Sequence, residues 1–178
     1  MSKLKELTWE NHQKAERTNM ARKMLKGMEP AEYHRYLYNQ YVMYAALESR
    51  ASQLGILDGI EHIQRAELIR TDLTELENNF SIQRNVDLLC PVVNEYVAHI
   101  MILEEEGVIA HLYVRHFGDM YGGQMIKKRN PGSGKMYEFE NVEELKLTVR
   151  AMLKDSMADE ANRCFEFAMQ LFTELEDE

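Results

Sequence analysis

Gly118, Gly122 and Gly123 fall within six positions of a stretch that otherwise keeps helical spacing, with apolar or aromatic residues at Ile109, Leu112, Tyr113, Phe117, Met120 and Tyr121. Glycine in a helix interior is about 1 kcal/mol less favourable than alanine, so three of them carry a penalty of about 3 kcal/mol. A chain that keeps them gains something from bare backbone, and the gain a missing Cβ permits is close approach of a flat or bulky partner. Gly118 and Gly122 are four apart and share one helical face. Asp119 stands beside that face, and Arg115 lies one turn earlier, within side-chain reach of it. A lone Gly-x-x-x-Gly reads most simply as a kinked core helix with a surface ion pair. The fuller run Gly118-Asp119-x-x-Gly122-Gly123-Gln124 is much less expected by chance.

The rest of the chain suits a helical frame for that stretch. Three prolines and nine glycines in 178 residues, with apolar residues recurring at three and four, predict an all-α protein, and the length predicts one domain over residues 1–178. A net charge of −9 argues against nucleic acid or an anionic membrane as partner. Residues 1–7 hold no apolar run of signal-peptide length, and nothing approaches the ~20 apolar residues of a membrane span, so the expected location is cytoplasmic. The polar run from Thr173 to Glu178 fits no bilayer anchor. Cys90 and Cys164 lack the number and spacing of a disulfide framework or zinc site, which predicts reduced thiols without neighbours that activate them.

Punctuation divides the chain into helices over 3–16, a short one ended by Gly27, and one opened by Pro30 that carries Tyr33, Tyr36, Tyr38, Tyr41 and Tyr44. A break at 54–59 precedes a helix over 60–77. Another begins near Asp87 or Pro91 and runs to Glu106, with Gly107 as its joint to the glycine-rich helix. The loop 127–135 contains Gly132-Ser133-Gly134-Lys135, but Met136 replaces the hydroxyl residue of a phosphate loop and no strand precedes it. Helices near 141–154 and 157–176 close the bundle, with Phe165, Met169 and Phe172 assigned to the core.

Spacing also narrows the metal chemistry. No glutamate is followed three residues later by histidine, as a ferritin-like di-iron bundle requires, and histidines 12, 34, 62, 99, 111 and 116 include no pair four apart.

The run Tyr113-x-Arg115-x-x-Gly118-Asp119-x-x-Gly122-Gly123-Gln124 resembles the distal-helix signature of heme oxygenases. The segment from Lys5 to Glu16, with Trp9 and His12, is similar to that family's proximal helix, and Tyr41 to Glu48 to its third helix. Two departures stand out: Met120-Tyr121 replaces the family's usual Leu-Ser, and the segment after Lys128 is short.

The resemblance implies a helical bundle with heme, both substrate and cofactor, between a proximal helix and a glycine-kinked distal helix. It implies opening of heme to biliverdin with O2, releasing carbon monoxide and iron. His12 becomes the axial ligand, and Glu16, one turn on, is placed to orient its ring. Gly118, Gly122 and Gly123 become the surface heme rests on, and Asp119, acting through water and held by Arg115, the organiser of proton delivery, with Tyr44 in the same network. Lys5, Tyr113 and Arg150 are nominated for the heme propionates. A soluble donor such as ferredoxin, docking on Lys127, Lys128 and Arg129, and a downstream bilin reductase are the implied partners. Two alternatives stay open, a heme-scavenging protein without turnover and a thiaminase-like helical enzyme with a nucleophilic cysteine.

Overall fold

Thr8 interrupts the expected first helix, because its hydroxyl donates back to the Leu4 carbonyl at 2.9 Å and its backbone leaves helical geometry. The computed structural model describes residues 1–176, which fold as nine α-helices joined by loops and short 3-10 turns, with no strand among the described residues. The helices are α1 (Leu4–Leu7), α2 (Trp9–Glu16), α3 (Asn19–Lys26), α4 (Pro30–Gln53), α5 (Ala66–Phe80), α6 (Pro91–Met101), α7 (Glu105–Arg129), α8 (Val142–Met152) and α9 (Ala158–Glu176). None of them is long and apolar enough to cross a membrane.

Local chemistry sets several boundaries. Thr18 caps α3 by accepting from the Ala21 amide, and Gly27 ends it at φ +110°, where an added Cβ would stand 2.6 Å from the Arg129 carbonyl oxygen. Pro30 opens α4 as expected. Helix α5 starts six residues later than the periodicity suggested. Residues Glu61–Ile63 form a 3-10 turn, and the cap of α5 comes from a different helix: the Glu48 carboxylate accepts the Arg65 and Ala66 amides at 2.6 and 2.9 Å. Asn78 and Asn79 lie inside α5, which ends at Phe80 with Ser81 left-handed. Gly107 is not a joint. It lies in the first turn of α7, where a Cβ would press on Leu103 at 3.0 Å, and the chain turns instead at 102–104.

Helix α4 is the spine between two buried clusters. Its Met43 and Leu47 meet Val93, Tyr96, Leu112 and Leu171, while its Tyr36 and Leu37 meet Leu73, Leu76, Met136 and Tyr137. Of the three α9 residues assigned to the core, Phe172 is buried. Phe165 and Met169 are only partly so, the core positions being Cys164, Phe167 and Leu171. Helix α9 packs against α2, α3, α6 and α7, and thereby fixes the short N-terminal helices relative to the glycine-rich one.

Candidate functional site

His111, Arg115, Gly118 and Gly122 are spaced four, three and four apart, which places them on one stripe of α7. The stripe is buried at its first two members and exposed at the last two. At Gly118 and Gly122 an added Cβ would meet nothing within 4 Å, so the helix presents bare backbone to open space. Met125, three residues beyond Gly122, and Tyr121 extend this face with exposed apolar surface. Exposed apolar side chains next to bare backbone make this face suited to an apolar partner.

Gly123 does something else. It is buried, and a Cβ there would come within 2.2 Å of Tyr137 Cδ1, so this glycine admits the Tyr137 ring against the back of α7. It is therefore withdrawn from the ligand-facing set. Substitution separates the two kinds of glycine. Gly118→Ala is expected to stabilise the fold by up to about 1 kcal/mol, since helix propensity improves without a clash. Gly123→Ala is expected to destabilise it by about 1–3 kcal/mol through overpacking, both read by urea unfolding.

Beside the bare face, the Tyr44 hydroxyl donates to Asp119 Oδ2 and also lies 3.1 Å from the Arg115 carbonyl oxygen. Burial raises the Asp119 carboxyl above the ordinary range, an effect that the Tyr44 hydrogen bond opposes. Burial and the Asp119 charge together push the Tyr44 phenol up. The hydroxyl thus has two arrangements: donor to a charged Asp119, or acceptor from a protonated Asp119 while donating to the carbonyl. Edge-on packing with His116, rings 4.9 Å apart, steadies Tyr44, and His116 Nε2 lies 2.8 Å from Glu48.

Arg115 does not hold Asp119, contrary to the pairing expected from their i, i+4 spacing. Its guanidinium turns into the core, donating to Gln40 Oε1 at 2.7 Å and the Tyr96 hydroxyl at 3.1 Å, and lies 4.6 Å from the Tyr96 ring centre. A buried guanidinium needs several acceptors, and those on α4 and α6 supply more than the one carboxylate of Asp119 would. Gln40 and Tyr96 carry no sequence signal beyond core spacing. On that third helix the resemblance singles out Tyr44 alone for the site.

On α2, His12 Nε2 lies 2.7 Å from Glu16 Oε1, one turn on. With one ring nitrogen donating to Glu16, the other carries the lone pair. The imidazole is 41% exposed, stacked on Trp9 at 5.2 Å and tilted against Phe165 of α9 at 5.7 Å. Next to it a hollow of about 370 Å³ opens at Lys5, Glu6 and Trp9. On the α8 side, Arg150 donates to the Tyr121 hydroxyl at 2.6 Å, and Tyr113, its phenol raised by burial and lowered by Arg150, lies close by. The structure thus gathers Tyr44 with Asp119, His12 with Glu16, and Tyr113 with Arg150. A larger open cavity of about 830 Å³ is lined among others by Glu48, Arg65 and Phe139, and none of the residues in these three groups lines it.

Cys164 departs from expectation. It is fully buried; burial alone would raise its thiol, but His111 and Arg115 overcome that and hold it below the usual thiol range. With no exposed surface it offers no nucleophile to a substrate.

A family model described as heme oxygenase matches residues 1–174. Among curated proteins, heme oxygenase 1 of the cyanobacterium Synechocystis is 28% identical over 98% of this chain and 84% of its own length. Heme oxygenase 2 of Macaca fascicularis is 31% identical over 97% of this chain, which spans 64% of that longer protein. Among solved structures, heme oxygenase-1 from Synechocystis in complex with heme superposes with a TM-score of 0.81 at 25% identity, covering 97% of this chain and 90% of that one. The heme oxygenase from Leptospira interrogans gives the same score and identity over 96% and 97%.

Proposed function

We infer that this chain, which belongs to the heme oxygenase family, carries out that family's reaction, the oxidative opening of heme to biliverdin with release of carbon monoxide and ferrous iron. Heme, when bound, supplies the iron at which dioxygen is activated and the carbon that is oxidised. The observation that carries the residue-level reading is the open backbone at Gly118 and Gly122 beside the Tyr44–Asp119 pair. A flat macrocycle would rest closely on a face without Cβ atoms, and the Tyr44–Asp119 pair lies beside that face, where it would hold the proton-delivering network.

The chain's own groups fit such a ligand. His12 retains a ring nitrogen for iron while Glu16 fixes the other. The exposed Met125 and the partly exposed Trp9 supply apolar contact. Lys5, Tyr113 and Arg150 provide the cation and hydroxyl donors for the two carboxylates at the heme edge. Asp119, through water, organises proton delivery with Tyr44 in the same network, and Arg115 acts as a positioning residue, bracing α7 against α4 and α6.

The electron donor is a soluble protein of the ferredoxin class, and the compartment is the cytoplasm. Lys127 is committed to Glu138 at 3.0 Å, so the docking cations are the exposed Lys128 and Arg129 at the end of α7. Two acidic proteins repel at long range, and a local basic patch offsets this only within a Debye length of about 8 Å at physiological salt.

Adding hemin to the purified chain is expected to give a Soret band, and reductant with oxygen a green bilin. A complex that survives both without product would instead favour scavenging. With ferredoxin as donor, K128E together with R129E is expected to raise the apparent KM about tenfold at low salt, leaving heme affinity and ascorbate-driven turnover nearly intact. Loss of heme affinity in that variant would move the patch into the heme site.

A further inference from the structure

A second cluster, outside the heme groove, forms where α6, α7 and α9 meet. His99 of α6, His111 of α7 and Glu160 of α9 each offer one ligand atom, all within 4.8 Å of one another. Both imidazoles converge on a single carboxylate oxygen: Glu160 Oε1 contacts His99 Nε2 and lies 3.0 Å from His111 Nε2. The other nitrogen of His111 sits 2.9 Å from the Tyr96 hydroxyl. That hydroxyl also accepts from Arg115, so His111 is oriented from behind. His111 is fully buried, while the side chains of His99 and Glu160 retain 19% and 23% exposure, which leaves a way in from solvent.

We propose that His99, His111 and Glu160 form a binding site for a divalent first-row transition ion such as Fe2+ or Zn2+, distinct from the heme site. Two imidazoles and one carboxylate are borderline donors that suit these ions, and such a set leaves coordination positions open to water. Metal–ligand bonds of about 2.0–2.2 Å separate neighbouring ligand atoms by about 3 Å, a spacing the three atoms reach with small rotamer changes. Tyr96 behind His111 is the outer partner that ligating histidines require. The competing account is a hydrogen-bonded trio that only ties three helices together, and it predicts no metal uptake. Helical spacing within the sequence conceals the site, because each ligand comes from a different helix.

Co2+ serves as the probe, titrated into the purified chain without heme. Visible d–d bands saturating at one equivalent are expected, with a rise in the unfolding midpoint. H99A and E160Q, both at partly exposed positions, are expected to weaken Co2+ binding by at least about 100-fold, more than loss of an outer partner causes. H12A is expected to bind Co2+ as the parent does, which separates this site from the heme ligand. No cobalt bands in the parent chain, uptake that persists in both H99A and E160Q, or uptake abolished by H12A would each overturn the proposal. The parent-chain result decides even if a variant fails to fold.

Discussion

H12A is expected to lose the axially ligated heme spectrum and to lower biliverdin production at least about 100-fold, a barrier increase of about 2.7 kcal/mol or more. The fold should survive. His12 is 41% exposed, and its contacts are Glu16 on its own helix and the rings of Trp9 and Phe165, so alanine leaves no buried group unpaired. Added imidazole should occupy the vacated volume and restore both spectrum and part of the turnover. E16Q should keep ligation but weaken the iron–nitrogen bond, because an amide is a poorer acceptor for the ring N–H than a carboxylate. An unaltered Soret band in H12A would place the ligand elsewhere.

D119A is expected to bind heme within about threefold of the parent while bilin yield falls about 100-fold, the scale on which positioned proton donors act. Y44F tests the relay more finely. In the parent chain the Tyr44 hydroxyl hydrogen-bonds to Asp119, which lowers a carboxyl pKa that burial has raised. Removing the hydroxyl favours the protonated carboxyl, so the Asp119 pKa rises further. If turnover requires the charged form, the acid limb of the pH–rate profile moves to higher pH in Y44F and disappears in D119A. Identical acid limbs in Y44F and the parent would show that Tyr44 has no part in proton delivery.

Much of this arrangement is legible in sequence because it depends on neighbours along one helix. Pro30, Gly27 and the glycines of α7 act locally, and so does His12 with Glu16 at i, i+4. Features that depend on a second element are not legible. Periodicity cannot show that Glu48 of α4 caps α5, and so the start of α5 is misplaced. Nor can it show that Arg115 prefers Gln40 and Tyr96 to the Asp119 one turn away. The resemblance groups Gly123 with Gly122, although consecutive helical residues point 100° apart and only one of the two can face the groove. The cluster at His99, His111 and Glu160 is spread over three helices, and no single-helix motif could announce it.

The turn of Arg115 into the core has a consequence for traffic through the protein. An unbroken run of polar contacts leads inward from partly exposed His99 through Glu160, His111 and Tyr96 to the Arg115 guanidinium, on the same residue whose carbonyl faces Tyr44. It resembles a wire from solvent to the distal side. A guanidinium, however, does not surrender a proton at any pH a protein tolerates, and so it cannot pass one along. Arg115 therefore works as an insulator that couples the two regions mechanically while isolating them protonically. On the proposed reading the protons used beside Asp119 do not come along this run, and replacing His99 is expected to leave their supply unchanged.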